Sequence, residues 1–368
     1  MRIGHSDIDD LARGAALLGS GGGGDPYIGA LLLRAGLDVG SEARLLTLDQ
    51  LADDSLVIPV AMMGAPTVMV EKFPNGAEAE RVLGKLEEIL GRRAEAVIAA
   101  EIGGGNALLP LTLGAQLDLP VVDGDGMGRA FPELDMVSWN VGGVSVSPLA
   151  MSDEHGNVVT IDGCSGAHAE NLARHVVMAM GGMCVIALYP MTGRQVKEST
   201  VRGTISIALE IGRTIGEARD RGDDPFAALA RTIDEAPHYG RLYDLTEGKI
   251  ADIERTTQGG FATGRLRIDA SGQEPLYIDF QNENLIAWRG AEPCAMVPDL
   301  ICVLESDTAE PLTTEALKYG QRVHVVAIGA PSMLLSEAAL RVMGPGRFGY
   351  DTPYRPLSEL ALNSRGVP

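Results

Sequence analysis

The sequence has little cysteine, a deficit of basic residues and no long apolar run, and each of these excludes a class of protein. Its four cysteines are scattered over 368 residues without a CxxC pair, which excludes a zinc ribbon or a redox dithiol. Lysine and arginine number 30 against 50 aspartates and glutamates, so the formal charge is -20. Such a surface repels nucleic acid and anionic membranes, whose recognition depends on basic side chains.

The absence of an apolar segment of about 20 residues indicates that the chain does not span a membrane. Its first residues also lack the apolar centre of a signal peptide, so we expect a cytoplasmic location. Hydrophobic residues make up 45% of the chain and charged residues 22%, a balance typical of globular proteins. We expect a small-molecule partner, and assembly into a homo-oligomer stays open.

Strand-like and helix-like segments alternate in the first half of the chain. Short apolar runs predict buried strands, and segments with helical spacing lie between them: strands at 55–63, 96–100 and 119–122, helices at 8–18, 77–91 and 107–117. This alternation predicts an α/β fold with a mostly parallel sheet. In such sheets, ligands usually bind at the carboxyl ends of the strands.

Short strand patterns replace the helical period between residues 248 and 328, which predicts a β-rich second domain. Residues 198–221, before this region, predict one long helix. We therefore expect an α/β domain at 1–247 with a sub-boundary near residue 165, and a β-rich domain at 248–330. The C-terminal segment, 331–368, is expected to pack back on the first domain.

Four successive glycines at positions 21–24 follow the first predicted helix. Glycine lets backbone approach a ligand closely, and the helix predicted after Asp25 has an amino terminus that favours anions. The run lacks the Lys-Ser/Thr of a phosphate loop and does not follow a strand, so no nucleotide is expected. Gly22, Gly23 and Asp25 are candidate substrate contacts, and a packing turn between two helices is the alternative.

Glu101 and Asn106 enclose three glycines directly after the strand predicted at 96–100. A carboxylate and an amide at the carboxyl end of a strand suit a small polar ligand. The alternative is a plain strand-to-helix turn in which Asn106 caps the helix. We take Glu101 as a candidate catalytic residue and Asn106 as a candidate substrate contact.

Asp123 and Asp125 follow the next predicted strand, and Arg129 comes shortly after them. Two carboxylates two residues apart can bind a divalent metal ion such as zinc, or they can divide acid and base roles. A solvated acidic turn is the alternative. Asp123 and Asp125 are therefore candidates both for catalysis and for metal binding.

Two C-terminal segments are also dense in polar groups. The first contains Glu283 and lies in the predicted β-rich domain, and the second contains Arg347 among glycines and aromatic residues. Both residues are candidate substrate contacts, although structural turns explain the two segments equally well.

Five long and unusual strings run in order through nearly the whole chain. They are Gly14-Ala-Ala-Leu-Leu-Gly-Ser-Gly-Gly-Gly-Gly-Asp-Pro-Tyr-Ile-Gly, Asp123-Gly-Asp-Gly-Met-Gly-Arg-Ala-Phe-Pro-Glu, Asp279-Phe-Gln-Asn-Glu, Val297-Pro-Asp-Leu-Ile and Gly344-Pro-Gly-Arg-Phe-Gly-Tyr. Together they resemble the DUF917 family, which is associated with S-methyl thiohydantoin desulfurases. The resemblance implies hydrolysis of an S-methyl thiohydantoin with a propanoate arm, which yields methanethiol and a hydantoin.

The implied reaction needs a base that activates water and an acid that protonates a ring nitrogen. Glu101, Asp123 and Asp125 can supply both roles, or the two aspartates can bind a metal ion that lowers the pKa of the water. A bidentate arginine suits the propanoate arm, with Arg129 as the first choice and Arg347 as the second. The glycine loop, Asn106 and the aspartate turn are expected to converge on one cleft.

Three alternatives stay open at this level. A thiolate at Cys164, which lies among polar residues and glycines, can displace the methylthio group. A nucleotide-dependent enzyme is a weaker interpretation of the glycine loops. The third alternative is a non-catalytic ligand-binding or regulatory partner of a hydantoinase-type enzyme. Such a protein would bind the ligand without turnover, so release of methanethiol distinguishes an enzyme from it.

Overall fold

The chain forms two β-sheets flanked by helices in the computed structural model, which describes residues 1–24, 26–37, 42–64, 68, 72 and 74–364, without the side chains of residues 258 and 361–364. The strands of the first sheet are β1 (Arg2–Ile3), β2 (Ala43–Leu46), β3 (Leu56–Gly64), β4 (Ala96–Ala99), β5 (Val121–Asp125), β6 (Leu149–Ser152), β7 (Val158–Ile161), β8 (Met183–Ala187), β9 (Met191–Thr192) and β10 (Val201–Arg202). Those of the second are β11 (Leu242–Gln258), β12 (Phe261–Asp269), β13 (Leu276–Gln281), β14 (Glu283–Arg289), β15 (Glu292–Met296), β16 (Leu300–Glu305) and β17 (Arg322–Ile328). The helices are α1 (Ile8–Leu18), α2 (Pro26–Gly36), α3 (Glu78–Leu90), α4 (Leu109–Leu117), α5 (Ser138–Val141), α6 (Gly166–Ala179), α7 (Gly193–Ser199), α8 (Thr204–Arg221), α9 (Pro225–Glu235), α10 (Glu337–Met343) and α11 (Leu357–Ser364).

The first sheet has the strand order β1-β2-β5-β4-β3-β8-β6-β7. Its four middle strands, β2, β5, β4 and β3, are parallel, and the strands at both sides pair antiparallel. Helices α3 and α4 connect β3 to β4 and β4 to β5, as parallel neighbours require. The predicted α/β class with a mostly parallel sheet is confirmed.

Strand β3 shows why the sequence of a strand in this sheet is a continuous run of apolar residues. Its side chains alternate between two apolar clusters, with Ile58 and Val60 in one and Val57 and Ala61 in the other. Both faces of the strand are therefore covered, as is usual for parallel sheets. On the first face, α1 packs closely against α8. The glycine at position 14 permits this approach, since a Cβ there would lie only 1.7 Å from the carbonyl oxygen of Ala208.

The second sheet is antiparallel throughout, in the order β15-β14-β13-β12-β11-β17-β16. It confirms the predicted β-rich region, and its first strand begins at Leu242. Cys302 and Val326 of this sheet pack in the same apolar cluster as α1, so the two sheets share a core. The domain boundaries themselves stay a prediction.

The predicted long helix at 198–221 is confirmed over 204–221, but its start is wrong because the chain is interrupted at the amino-terminal end. Helix α7 ends at Ser199, β10 pairs with β5, and α8 begins only after Gly203, whose φ is 71°. That left-handed conformation favours glycine. None of the helices in the described ranges is both long and apolar enough to cross a membrane.

Candidate active site

A cavity lies where the carboxyl ends of β3 and β4 face the turn between β13 and β14. The space open to a water-sized sphere is only about 60 Å³, so the cavity is narrow in this structure. The lining residues are Gly23, Gly24, Ala61, Met62, Met63, Gly64, Ala100, Glu101, Asn106, Met127, Phe131, Pro132, Glu133, Leu134, Val137, Arg174, Leu188, Tyr189, Asn282 and Glu283. Four predicted site residues, Gly23, Glu101, Asn106 and Glu283, therefore meet in one cavity.

Glu101 lies in the loop just after β4, and its side chain is 6% exposed. Both of its carboxyl oxygens accept hydrogen bonds: Oε1 from Asn106 Nδ2 at 2.5 Å, and Oε2 from the backbone N–H of Phe131 at 3.2 Å. Burial raises the pKa of Glu101 to about 8, although these two donors act in the opposite direction. Glu101 thus titrates near neutral pH, as an acid–base catalyst requires.

Glu283 is the first residue of β14 and is 3% exposed. Its Oε2 atom has no hydrogen-bond partner in the described part of the chain. Burial and then the negative charge of Glu101 raise the pKa of Glu283 well above its ordinary value, and the charge of Arg129 only partly offsets them. Ionisation of Glu101 therefore favours the protonated form of Glu283.

Asn106 and the two glycine loops hold Glu101 in place. The side-chain amide of Asn106 bridges to β3, since Oδ1 accepts from Met62 N at 2.6 Å and Nδ2 donates to Met62 O at 3.2 Å. The backbone N–H of Asn106 donates to the carbonyl of Gly23 at 3.3 Å. This bridging role differs from the helix cap that was the simpler interpretation of Asn106.

The first glycine loop is both a packing element and a cavity wall. A Cβ at Gly23 would lie 2.3 Å from the carbonyl carbon of Gly103, and its φ of 85° also favours glycine. A Cβ at Gly22 would lie 2.1 Å from Oε1 of Glu283, so Gly22 is in direct contact with the second carboxyl group. Asp25 lies outside the described residues.

Arg347 does not line the cavity, but it forms an ion pair with Glu133, which does. Its Nη2 donates to a carboxyl oxygen of Glu133 and lies 3.8 Å from Oδ1 of Asp135. Burial raises the pKa of Glu133, and the charge of Arg347 lowers it. Because Arg347 does not line the cavity, its predicted contact with substrate is corrected to an ion pair with a lining residue.

Asp125 does not line the cavity either, and it has no exposed surface. Its Oδ2 accepts hydrogen bonds from the backbone N–H groups of Ile102, Met127 and Gly128 at 2.8–3.0 Å. Burial raises the pKa of Asp125 to about 7, and the donors from Met127 and Gly128 lower it. Asp125 therefore joins the loops that follow β4 and β5, and it does not touch a ligand in this cavity.

Asp123 lines a different cavity, beside the amino terminus of α8. Its Oδ1 accepts from the backbone N–H groups of Ile205 and Ser206, both at 3.1 Å. Because Asp123 and Asp125 bind separate sets of backbone groups, they do not form the predicted shared metal site. No three His, Cys, Asp or Glu side chains are grouped as metal ligands among the residues that the structure describes.

Arg129 is fully buried, and its hydrogen bonds go to backbone carbonyls. Nε donates to Ala130 O at 3.0 Å, and the two terminal nitrogens donate to the carbonyls of Pro298, Asp299 and Asn284 at 2.7–3.4 Å. Burial lowers its pKa to about 10, so the guanidinium stays charged at neutral pH. The prediction that Arg129 holds the propanoate arm is wrong, because Arg129 does not line the cavity and instead joins the two sheets.

Sequence reasoning assigned no role to three polar lining residues, Glu133, Arg174 and Asn282. Glu133 and Asn282 lie within the strings that carry the resemblance, so those strings were a usable signal. Arg174 lies outside the strings, on α6, and only its placement reveals it. Cys164 is half-buried with its Sγ 3.5 Å from Asp162 O, and it does not line the cavity.

Comparison with known proteins identifies the family. The profile described as S-Me-THD-like, N-terminal domain, matches residues 6–163, and the profile described as S-Me-THD-like, C-terminal domain, matches residues 164–357. A crystal structure of a protein from Chromobacterium violaceum is similar, with a TM-score of 0.78 at 26% sequence identity, over 97% of this chain and 100% of that chain. No curated protein sequence matches significantly. Since the two profiles together span nearly all of the sequence, the chain belongs to the S-Me-THD-like family.

Proposed function

We propose that this protein hydrolyses an S-methyl thiohydantoin with a propanoate arm, releasing methanethiol and the hydantoin. The observation that carries the proposal is the pair of buried carboxyl groups, Glu101 and Glu283, that line one narrow cavity. Membership of the S-Me-THD-like family supports the same substrate class.

The surroundings of the two carboxyl groups suit them to different roles. Two N–H donors on Glu101 favour its ionised form, which is the form that a general base needs. Glu283 Oε2 accepts no hydrogen bond in the described residues, so a proton on that oxygen is available to a ligand. We assign Glu101 as the base and Glu283 as the acid.

The reaction begins with attack of water on the ring carbon that bears the methylthio group. Glu101 takes a proton from the water while the water oxygen bonds to that carbon. Glu283 gives its proton to the adjacent ring nitrogen. The intermediate then returns its hydroxyl proton to Glu283, the C–S bond breaks, and Glu101 protonates the leaving methanethiolate. Both carboxyl groups recover their starting states.

The apolar part of the cavity suits the methylthio group. Met62, Met63 and Met127 line it together with Leu188, and all four are buried. Thioether side chains are polarizable and adapt to irregular apolar groups. With the methylthio group against this wall, the ring carbon and nitrogen would face the two carboxyl groups, and the sulfur would stay within reach of Glu101 for its final protonation.

Incubation of the purified protein with the S-methyl thiohydantoin propanoate tests the proposal. We expect stoichiometric release of thiol, measured with a thiol reagent, and of hydantoin, measured by chromatography; in H₂18O one labelled oxygen enters the hydantoin. Glu101→Gln and Glu283→Gln should each lower kcat by about 10²–10⁴-fold, as loss of a general acid or base does. Glu88→Gln, on the exposed face of α3, is the matched control.

Absence of both products would contradict the proposed reaction. Saturable binding of the compound without product would instead identify a ligand-binding subunit. Metal analysis and dialysis against a chelator belong to the same assay, since loss of turnover on chelation would assign the activation of water to an ion rather than to Glu101 alone.

A further inference from the structure

Arg174 is the one basic side chain among the described residues that line the cavity. It lies on α6, and its side chain is 11% exposed. Three carboxyl groups, those of Glu101, Glu133 and Glu283, line the same cavity. Glu170 pairs with Arg174, but the Arg174 side is where the described lining offers a cationic donor, so an anionic group on a ligand is favoured there over positions beside an ionised carboxylate.

The guanidinium of Arg174 is held rigidly but is not saturated. Nε donates to Glu170 Oε1 at 2.8 Å, and Nη2 donates to Pro132 O at 2.9 Å and lies 2.7 Å from the same Glu170 oxygen. The group lies 4.3 Å from the ring centroid of Phe261. In the described part of the chain, Nη1 donates to no acceptor, so two N–H groups of a buried cation are free for a ligand. A fixed guanidinium loses little conformational entropy when it binds a carboxylate.

Asn282 supplies a second donor that is tied to the same hairpin. Its Oδ1 accepts from Ala262 N at 2.9 Å and its backbone N–H donates to Ala262 O at 2.7 Å, while Nδ2 has no acceptor in the described ranges. Ala262 follows Phe261, the residue under the Arg174 guanidinium. The start of β12 therefore fixes both donors beside one cavity.

We propose that Arg174 Nη1 and Asn282 Nδ2 bind a carboxylate group of the substrate. This rests on the proposed function, for which they would hold the propanoate arm while the ring lies against Glu101 and Glu283. The combination of a cation with a neutral amide donor matches the two oxygens of a carboxylate, and a neutral arm would leave the buried donors without partners.

The test compares the propanoate compound with its neutral propanamide analogue. Arg174→Met keeps an apolar side chain over Phe261 and removes the charge; Arg341→Met, which breaks an exposed pair with Glu337, is the matched control. We expect Arg174→Met to raise KM for the propanoate by roughly 30-fold or more, as loss of a desolvated charge contact does, and KM for the propanamide by less than about threefold. Asn282→Ala should show the same selectivity with a smaller factor, and Arg174→Lys should restore little.

Equal losses with both compounds would overturn the proposal and leave Arg174 as a link between α6 and the hairpin. If the variants do not fold, the wild-type protein alone provides the test. Equal kcat/KM of the wild type for the two compounds would also overturn the proposal. If neither compound is turned over, the proposed function fails. Calorimetric binding of the two compounds then still tests the carboxylate site. The proposal requires the propanoate to bind roughly 30-fold more tightly than the propanamide.

Discussion

The side-chain amide of Asn106 lies 2.5 Å from Oε1 of Glu101 and also exchanges two hydrogen bonds with the backbone of Met62. One residue thus connects the proposed base to β3, at the edge of the sheet where the cavity opens. The position of the Glu101 oxygen is set by a strand backbone, which is the most rigid support that this fold offers.

Replacing Asn106 with Ala should therefore reduce kcat more than it changes KM. The base loses one donor and its fixed direction, and a misplacement of about 1 Å can cost about 10²-fold in rate. The Met62 N–H would also lose its partner, at a cost of about 1–3 kcal/mol in the free energy of unfolding. Steady-state kinetics and urea unfolding measure the two effects, with Asn171→Ala on the exposed side of α6 as control. An unchanged kcat would show that Asn106 does not position Glu101 for the reaction.

The rate should depend on pH through the two carboxyl groups in opposite directions. Activity should rise as Glu101 ionises, with an apparent pKa near 8, and fall as Glu283, whose pKa burial and the charge of Glu101 raise, loses its proton. The kcat/KM profile of wild type against Glu283→Gln checks this, since the variant should lose the alkaline limb. An acidic limb near the ordinary glutamate pKa would contradict the role of Glu101.

Stability should fall as pH rises over the same range. The folded state raises the pKa of Glu101 from 4.5 to about 8, so between these values the unfolded chain releases a proton that the folded chain retains. The contribution of Glu101 is thus fully present below about pH 4.5 and is lost as pH approaches 8. Urea midpoints at pH 5 and pH 8 should differ less in Glu101→Gln than in the wild type. A midpoint difference that Glu101→Gln leaves unchanged would argue against this assignment.

Gly22→Ala tests the contact between the glycine loop and the proposed acid. The new methyl group would lie 2.1 Å from Oε1 of Glu283, and the buried carboxyl group must move to avoid it. We expect kcat to fall by about 10–10²-fold, because the acid no longer meets the ring nitrogen. Gly84→Ala, within α3 and with no atom within 4 Å of its Cβ position, is the control and should be neutral or stabilising.

Arg129→Met should act on stability rather than on substrate selectivity. The change leaves the carbonyls of Ala130, Asn284 and Asp299 without their buried charged donor, and each buried acceptor left unsatisfied costs about 1–3 kcal/mol. Chemical denaturation measures this loss. Arg129→Met should raise KM for propanoate and propanamide substrates by the same factor; a loss confined to the propanoate would return Arg129 to the role first predicted for it.

The elements that end at the cavity were predictable because their signals are local. The apolar runs at β3, β4 and β5 are long enough to show buried strands, and the rule for parallel sheets directs attention to the loops that follow. That reasoning directed attention to Glu101 and Asn106, and both line the cavity. Glu283 came from a different signal, the density of polar groups in its segment, and only the pairing of β14 with its neighbours brings it to the first sheet's cavity.

The roles of Asp123 and Arg129 were not predictable because they depend on distant backbone. Asp123 binds the amino terminus of α8, more than 80 residues later in the chain, and Arg129 binds carbonyls near residues 284 and 298. Carboxylates and arginines that satisfy buried backbone have the same composition as those that bind ligands. Only the three-dimensional partners distinguish the two uses.

The cavity draws its polar groups from both family domains. Residues 6–163 contribute Glu101 and Asn106, and residues 164–357 contribute Arg174, Asn282 and Glu283. A recombination event at the junction between relatives would thus exchange the proposed acid and the carboxylate-binding pair in one step, while the base and its support stayed in place. New substrate preferences can arise in this family by inheritance of a different second half.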